Sequence, residues 1–176
     1  LEKIINKNTI IFGNLPYNIS TQVLIKLIKF KHWPPKFKKV VFMFQKEVAD
    51  RILAEPNTKD YGRLSVISKW RFNITKSINI SKNCFYPKPK VQSTVLIFEP
   101  KENKKSKIKN IENLEKITNI FFTGKRKMIN KAFNKLFGKD GNFLKKIKLS
   151  PSLRPSQVTE EQYYKITEFF EKRDIN

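Results

Sequence analysis

The chain has 176 residues, of which 39% are hydrophobic and 15 are Phe, so it holds enough apolar surface for a packed core and is not a disordered tail. It has no run of about 18 apolar residues and no signal-peptide pattern, so we expect no membrane segment and a cytoplasmic protein. The formal net charge of +22 favours a polyanionic partner such as RNA or DNA, although a drift of composition toward Lys, Asn and Ile also explains part of it.

Strands and helices alternate along the first part of the chain. Residues 9–12 predict a buried strand that ends at Gly13, and Ser20 or Thr21 is suited to cap the helix that follows. A second buried strand over residues 40–44 leads into a helix over residues 45–53. This order predicts an α/β protein with a parallel sheet and a ligand site beyond the carboxyl ends of its strands.

Two further strands follow a short helix over residues 63–70. Residues 72–80 alternate between apolar and polar side chains, and residues 94–98 form an apolar run. They predict an antiparallel pair that closes the sheet. The single Cys84 lies between them, where we expect a packed thiol in a reducing compartment and no metal site.

Residues 101–110 are almost free of apolar side chains and predict a solvated linker, which divides the chain into domains 1–100 and 101–176. Beyond the linker the apolar period becomes helical, with Gly138 as a C-terminal cap and Thr159 and Gln162 as a capping box. Residues 101–148 hold 15 Lys and Arg against 4 Asp and Glu, the densest positive charge in the chain. We therefore expect a small helical domain that binds nucleic acid.

The loop Asn14-Leu15-Pro16-Tyr17 has the groups needed to activate an exocyclic adenine amine. Such an amine is a poor nucleophile, and two carbonyl acceptors against its hydrogens localise its lone pair. The Asn14 side chain supplies one carbonyl, and the constrained backbone at Pro16 can supply the second. Tyr17 offers a stacking face for the base and Phe85 a second one. The alternatives are a turn with a buried Tyr17 and a core position for Phe85.

A basic face is predicted after residue 124. Lys127, Lys131 and Lys135 recur every four residues and would share one side of a helix, opposite its apolar stripe. The face suits phosphate groups, and an ordinary solvated helix face is the alternative.

These motifs resemble the ribosomal RNA adenine dimethyltransferases that modify two adjacent adenines near the 3′ end of small-subunit rRNA. The matching stretches are residues 11–21, 45–49, 61–66, 85–91 and 125–127. The resemblance implies that Asn14 and the Pro16 carbonyl hold the target amine, and that Tyr17 and Phe85 sandwich the base.

The same resemblance implies the partners and the methyl donor. The donor is S-adenosylmethionine, with Asn14, Leu15 and Pro16 beside it. The partner is small-subunit rRNA in the pre-30S particle, and a monomer with a role in ribosome biogenesis is expected. Docking is implied for the basic residues Lys125, Arg126, Lys127, Lys131 and Lys135.

One feature of that family is missing from the sequence. Its donor site uses a Gly-x-Gly loop, and none of the five glycines forms such a pair. The resemblance thus implies the C-terminal half of a Rossmann-like methyltransferase sheet followed by a small all-α domain, truncated at its N-terminus and inactive alone.

Two rival functions remain open. The large-subunit rRNA methyltransferases of macrolide resistance share the Asn-x-Pro-Tyr pattern, whereas Leu15 and the run Tyr61-Gly62-Arg63-Leu64-Ser65 favour the small-subunit group. A non-catalytic RNA-binding or transcription factor of the same fold is the other rival, and the intact residues 14–17 argue against it.

Overall fold

The computed structural model describes residues 5–102, 107–138 and 141–173, so residues 103–106 of the predicted linker lie outside the described residues. The chain divides into two compact units, which we call the sheet unit and the helical unit. The sheet unit consists of Leu1–Leu53 and Ser68–Asn103, and the helical unit of Ala54–Ile67 and Lys104–Asn176. No helix in the described parts of the chain is long and apolar enough to cross a bilayer.

The sheet unit is built around four strands. In chain order the elements of this part of the chain are β1 (Ile10–Gly13), α1 (Tyr17–Ile28), β2 (Lys39–Gln45), α2 (Lys46–Leu53), α3 (Arg63–Arg71), β3 (Phe72–Ile80) and β4 (Ser93–Pro100). The strand order is β1-β2-β4-β3. β1 is parallel to β2, whereas β4 is antiparallel to both β2 and β3, with a bulge in β3. The predicted α/β class and its closing antiparallel pair are confirmed.

The core of the sheet unit lies against the central strands. Apolar side chains of β2, β4 and both flanking helices are fully or nearly fully buried, among them Leu24, Leu27, Ile28, Val40, Phe42, Phe44, Ala49, Ile52, Leu96 and Phe98. Three of these rings meet edge to face, with centroids 6.0 to 6.4 Å apart. Such contacts make the centre of the sheet a rigid base for the loops at its ends.

Arg71 contacts two tryptophan rings and two main-chain carbonyls of the sheet unit. Its guanidinium lies 4.6 Å from the ring centre of Trp33 and 4.4 Å from that of Trp70. It also donates hydrogen bonds to the carbonyls of Ile28, the last residue of α1, and of Phe30. Burial lowers the pKa of Arg71 to about 10, so the group stays charged at neutral pH.

Three local expectations are wrong. The first strand is not buried, because Ile10 and Phe12 are 44% and 74% exposed on a strand that has β2 as its one partner among the described residues. Ser20 is not a cap, because α1 already begins after Pro16, and the Ser20 hydroxyl donates to the Tyr17 carbonyl instead. Cys84 is exposed in a 3₁₀ turn and is not a packed thiol.

The helical unit contains α4 (Ile111–Thr123), α5 (Ile129–Phe137), α6 (Gly141–Lys146) and α7 (Glu160–Arg173). The predicted capping box is confirmed, since Thr159 and Gln162 exchange backbone-to-side-chain hydrogen bonds of 3.0 and 3.3 Å. Gly138 ends α5 with a φ of 68°, a conformation that glycine adopts without strain. Residues 54–67 pack here because Tyr61 is buried and donates a 3.0 Å hydrogen bond to the carbonyl of Val158, which the linker-based boundary did not anticipate.

Candidate functional site

Strand register brings the two predicted motifs to one end of the sheet. Gly13 at the end of β1 pairs with Phe42, and Gln45 at the end of β2 pairs with Ser93 at the start of β4. Ser93 in turn pairs with Ile80 at the end of β3. The loop after β1 and the loop of residues 81–92 therefore leave the sheet at the same end. We call this end, with residues 14–17 and 81–93, the sheet-end site.

Gly13 sets the path of the loop that follows it. A Cβ atom at this position would lie 2.6 Å from a ring carbon of Phe42 and 3.2 Å from Cγ of Leu15. Real Cβ atoms do not approach so closely, so only glycine lets β1 run this near to the buried ring. The position of Asn14 therefore depends on the absence of a side chain at the residue before it.

Asn14 and Pro16 differ in their hydrogen bonding within this loop. The Asn14 side chain is exposed, and no hydrogen bond to its carboxamide occurs among the described residues. The Pro16 carbonyl accepts the N–H groups of Ile19 at 3.0 Å and Ser20 at 3.2 Å, the first hydrogen bonds of α1. This carbonyl is thus committed to the helix, which corrects the expectation that it faces a target amine. The main-chain carbonyl that precedes it in the loop is that of Leu15.

Tyr17 is held from the opposite strand. Its hydroxyl oxygen lies 2.7 Å from the hydroxyl of Ser93, which is buried at the start of β4. The ring is half-buried, so part of its surface remains open to a ligand, unlike the fully buried Tyr of the alternative interpretation. Ser93 was missed from the sequence because a single serine at a strand start has no distinguishing pattern.

Phe85 follows the 3₁₀ turn Lys82–Cys84 in the second loop. Its side chain is half-buried and its backbone is extended, with φ −122° and ψ 147°. The core position considered for Phe85 is therefore wrong, because a core ring would be buried. Tyr17 and Phe85 both keep accessible surface at the sheet-end site, which a base-stacking residue requires.

The start of α2 is joined to the second loop. The backbone N–H of Lys46 donates a 2.9 Å hydrogen bond to the carbonyl of Gln92, which ties the second loop to the end of β2. Lys46 also forms an ion pair of 2.5 Å with Asp50. Glu47 and Arg51 form the predicted pair within the helix, a surface contact that contributes little to stability.

The basic residues of the helical unit have a different setting. Lys125, Arg126 and Lys127 are exposed in the turn between α4 and α5, and Lys131 and Lys135 are exposed on α5. Because α5 begins only at Ile129, the single helical face predicted for Lys127, Lys131 and Lys135 is wrong for its first member. We call these five residues the basic segment.

The sheet-end site fits only part of a methyl-donor site. The exposed Asn14 carboxamide and the half-buried Leu15 stand where a ligand beyond the end of β1 would touch the protein. A Gly-x-Gly turn, which can hold a phosphate or carboxylate group, does not occur in the sequence.

Known proteins resemble this chain along most of its length. The family model described as ribosomal RNA adenine dimethylase matches residues 2–172. The ribosomal RNA small subunit methyltransferase A of Pelagibacter ubique is 45% identical over 92% of this chain and 61% of its own length. The protein of the same name from the Wolbachia of Brugia malayi is 39% identical over 92% of the chain and 60% of its own length. The chain thus spans about three fifths of these curated relatives.

Two solved structures are similar to this chain in fold. The crystal structure of a dimethyladenosine transferase from Plasmodium falciparum has a TM-score of 0.75 and 29% identity, covering 94% of this chain and 67% of that one. The 23S rRNA methyltransferase ErmE has a TM-score of 0.62 at 20% identity over 94% of this chain and 66% of that one, and shows the fold alone. The sheet is that of a Rossmann-like methyltransferase.

Proposed function

Because the chain belongs to the ribosomal RNA adenine dimethylase family, we propose that the protein transfers methyl groups from S-adenosylmethionine to N6 of two adjacent adenines in small-subunit rRNA. The observation that carries the proposal is the sheet-end site, where the exposed Asn14, the anchored Tyr17 and the half-open Phe85 leave one end of the sheet. The pre-30S particle in the cytoplasm is the proposed setting.

Amine activation falls to the first two residues of the loop. The Asn14 carboxamide oxygen accepts one N6 hydrogen, and the main-chain carbonyl of Leu15 accepts the other. Leu15 takes the place first expected for Pro16, whose carbonyl accepts two N–H groups of α1. Two acceptors favour a pyramidal nitrogen and stabilise the positive charge that grows on it during transfer. S-adenosylmethionine supplies the electrophilic methyl group, and the amine proton leaves to water.

Base binding falls to the two aromatic rings. Presenting a single base costs a few kcal/mol, and stacking on one ring contributes roughly 1 to 3 kcal/mol. A single ring therefore barely offsets the cost. We assign one face of the base to Tyr17, which Ser93 holds in place at 2.7 Å, and the other face to Phe85.

RNA docking is assigned to the helical domain proposed for residues 101–176. The basic segment of Lys125, Arg126, Lys127, Lys131 and Lys135 is exposed throughout, and cations on flexible stems suit an anionic backbone more than a particular sequence. We propose small-subunit rRNA and not large-subunit rRNA as the substrate, because the curated relatives carry small-subunit names. A non-catalytic RNA-binding role is the remaining candidate, and the open Asn14 carboxamide argues against it.

We propose that residues 1–176 hold only part of the site for the methyl donor. With no Gly-x-Gly loop in the sequence, we expect this chain by itself to bind S-adenosylmethionine weakly and to be inactive. Isothermal titration of the isolated chain with S-adenosylmethionine checks this expectation. Micromolar binding would contradict it and would mean that residues 1–176 contain the donor site.

Replacing Asn14 by Ala in the complete protein tests the proposed chemistry. We expect methyl transfer to fall by at least about a hundredfold, as when one hydrogen-bonding group of an oxyanion hole is removed, with RNA affinity nearly unchanged. Asn18→Ala is the matched control, since Asn18 is an exposed asparagine one residue beyond the motif. Equal turnover in the Asn14 and Asn18 variants would refute the role of Asn14.

A further inference from the structure

We propose that Tyr86 stacks on the nucleobase next to the target adenine, while Lys88 and Lys90 face the phosphates of the same RNA strand. The inference deepens the proposed function and rests on it. It assigns a second base subsite to the loop of residues 81–92, beside the subsite formed by Tyr17 and Phe85. The ligand class is single-stranded RNA with its bases unstacked.

Tyr86 is the most exposed of the large hydrophobic side chains among the described residues. Its relative exposure is 102%, against 74% for Phe12 and 55% for Met128. An aromatic ring that is wholly exposed to water gains no free energy of burial from the fold. Any free energy of burial for this ring must therefore come from contact with a ligand. A stacked base is the ligand that matches a flat ring beside a base-binding site.

The extended backbone at Phe85 favours opposite directions for the Phe85 and Tyr86 side chains. The Ser81 carbonyl accepts the Cys84 N–H at 3.1 Å, which fixes the turn that leads into Phe85. Phe85 is extended, and successive side chains of extended backbone point to opposite sides. This geometry explains why Phe85 is half-buried and Tyr86 is not. Two rings on opposite sides can hold two neighbouring bases only if the bases are splayed apart, as they are in single-stranded RNA bound by proteins.

The loop is stiffened where the second base would bind. Pro87 and Pro89 fix two φ angles directly after Tyr86. Less conformational entropy is then lost when RNA orders the loop, so more of the stacking free energy appears as affinity.

The stretch of the chain that contains Tyr86 carries charge of one sign. Residues 61–98 contain seven Lys and Arg and not a single Asp or Glu. Lys82, Lys88 and Lys90 are exposed within the loop itself. Phosphates flanking a base on Tyr86 would therefore meet cations without a competing carboxylate from this stretch of the chain.

The test uses the complete protein and a single-stranded RNA with two adjacent adenines, one of which is replaced by the fluorescent base 2-aminopurine. We expect Tyr86→Ala to weaken RNA binding about tenfold and to abolish the fluorescence quenching that stacking causes. Tyr86→Phe and Tyr86→Trp should keep both, since they keep the ring. Binding within twofold of wild type and unchanged quenching in Tyr86→Ala would overturn the proposal. Circular dichroism checks that the variants fold.

The lysines have a separate readout. Lys88→Ala and Lys90→Ala should each lower the slope of log affinity against log salt by about 0.7, the value for one phosphate contact on a single strand. Lys26→Ala, an exposed lysine on α1, is the control and should not change the slope. An unchanged slope in both loop variants would overturn the assignment of the lysines.

These outcomes separate the two proposals. Failure of the complete, unsubstituted protein to methylate rRNA overturns the proposed function, and the affinity of the Tyr86 variants still decides whether this loop stacks on RNA. Normal methylation by Tyr86→Ala with unchanged RNA binding overturns the Tyr86 subsite alone.

Discussion

The sheet-end site and the basic segment are built on opposite principles. At the sheet end, atoms are fixed by contacts from other strands: Gly13 lies against the Phe42 ring, and the Tyr17 hydroxyl lies on Ser93. In the basic segment, all five side chains are exposed, and that of Lys125 donates a hydrogen bond to the Lys59 carbonyl at 2.7 Å. The first region depends on position to within about half an ångström, and the second depends only on the local density of charge. Substitutions in the two regions should therefore differ in size and in salt dependence.

Among substitutions that shift the site without removing a group proposed to touch the substrate, the largest effect is expected from Gly13→Ala. The added methyl would lie 2.6 Å from a ring carbon of buried Phe42, so β1 or the ring must move. We expect about 1 to 3 kcal/mol of destabilisation and a fall in methyl transfer of roughly a hundredfold, because the Asn14 loop shifts with the strand. Thermal melts and turnover of the complete protein measure the two effects.

Gly62→Ala is the control for that experiment. The nearest atom to a Cβ at Gly62 is the Asp60 carbonyl oxygen at 3.9 Å, an ordinary contact. The Gly62 variant should keep full activity. Similar losses at both glycines would show that the position of the loop is not set by the close approach of Gly13 to Phe42.

A smaller effect is expected from Tyr17→Phe. This change removes the hydroxyl contact with Ser93 and keeps the ring, so about 1 kcal/mol of positioning is lost and kcat/KM should fall about fivefold to tenfold. Ser93→Ala should cause a similar fall. The double variant should be no worse than either single variant, and additive losses would mean that the two hydroxyls act separately.

The smallest effects are expected in the basic segment. Single replacements of Lys125, Arg126 or Lys127 by Ala should weaken RNA binding about twofold to fivefold at low salt, with little change at high salt or in kcat. Lys165→Ala, an exposed lysine of α7, is the control. A loss that persists at high salt would show a fixed contact and would break the contrast between the two regions.

The elements of the sheet unit were largely predictable. β2, β4 and the helix stripe of Leu24, Leu27 and Ile28 follow from apolar runs and a period of 3.6, since burial on one face leaves a pattern along the chain. The residue types of the sheet-end site could also be predicted from the sequence, because only a few side chains can bind an amine or stack on a base.

The start of α5 was not predictable from local pattern. The spacing of Lys127, Lys131 and Lys135 suggested one helix face, but α5 begins at Ile129. Its first N–H groups donate to the carbonyls of Leu153 at 2.8 Å and Pro151 at 3.2 Å. Residues more than 20 positions away therefore satisfy the helix N-terminus, and no periodicity within the helix can report this.

The sequence by itself determined the order of strands and helices, the concentration of positive charge and the chemical groups of the site, because each of these depends on residue type or local spacing. The tertiary structure decided which groups are available. It committed the Pro16 carbonyl to α1, anchored Tyr17 to Ser93 and left Tyr86 in solvent. Hydrogen bonds and close approaches between residues distant in sequence are set by strand register, which is a property of the whole sheet.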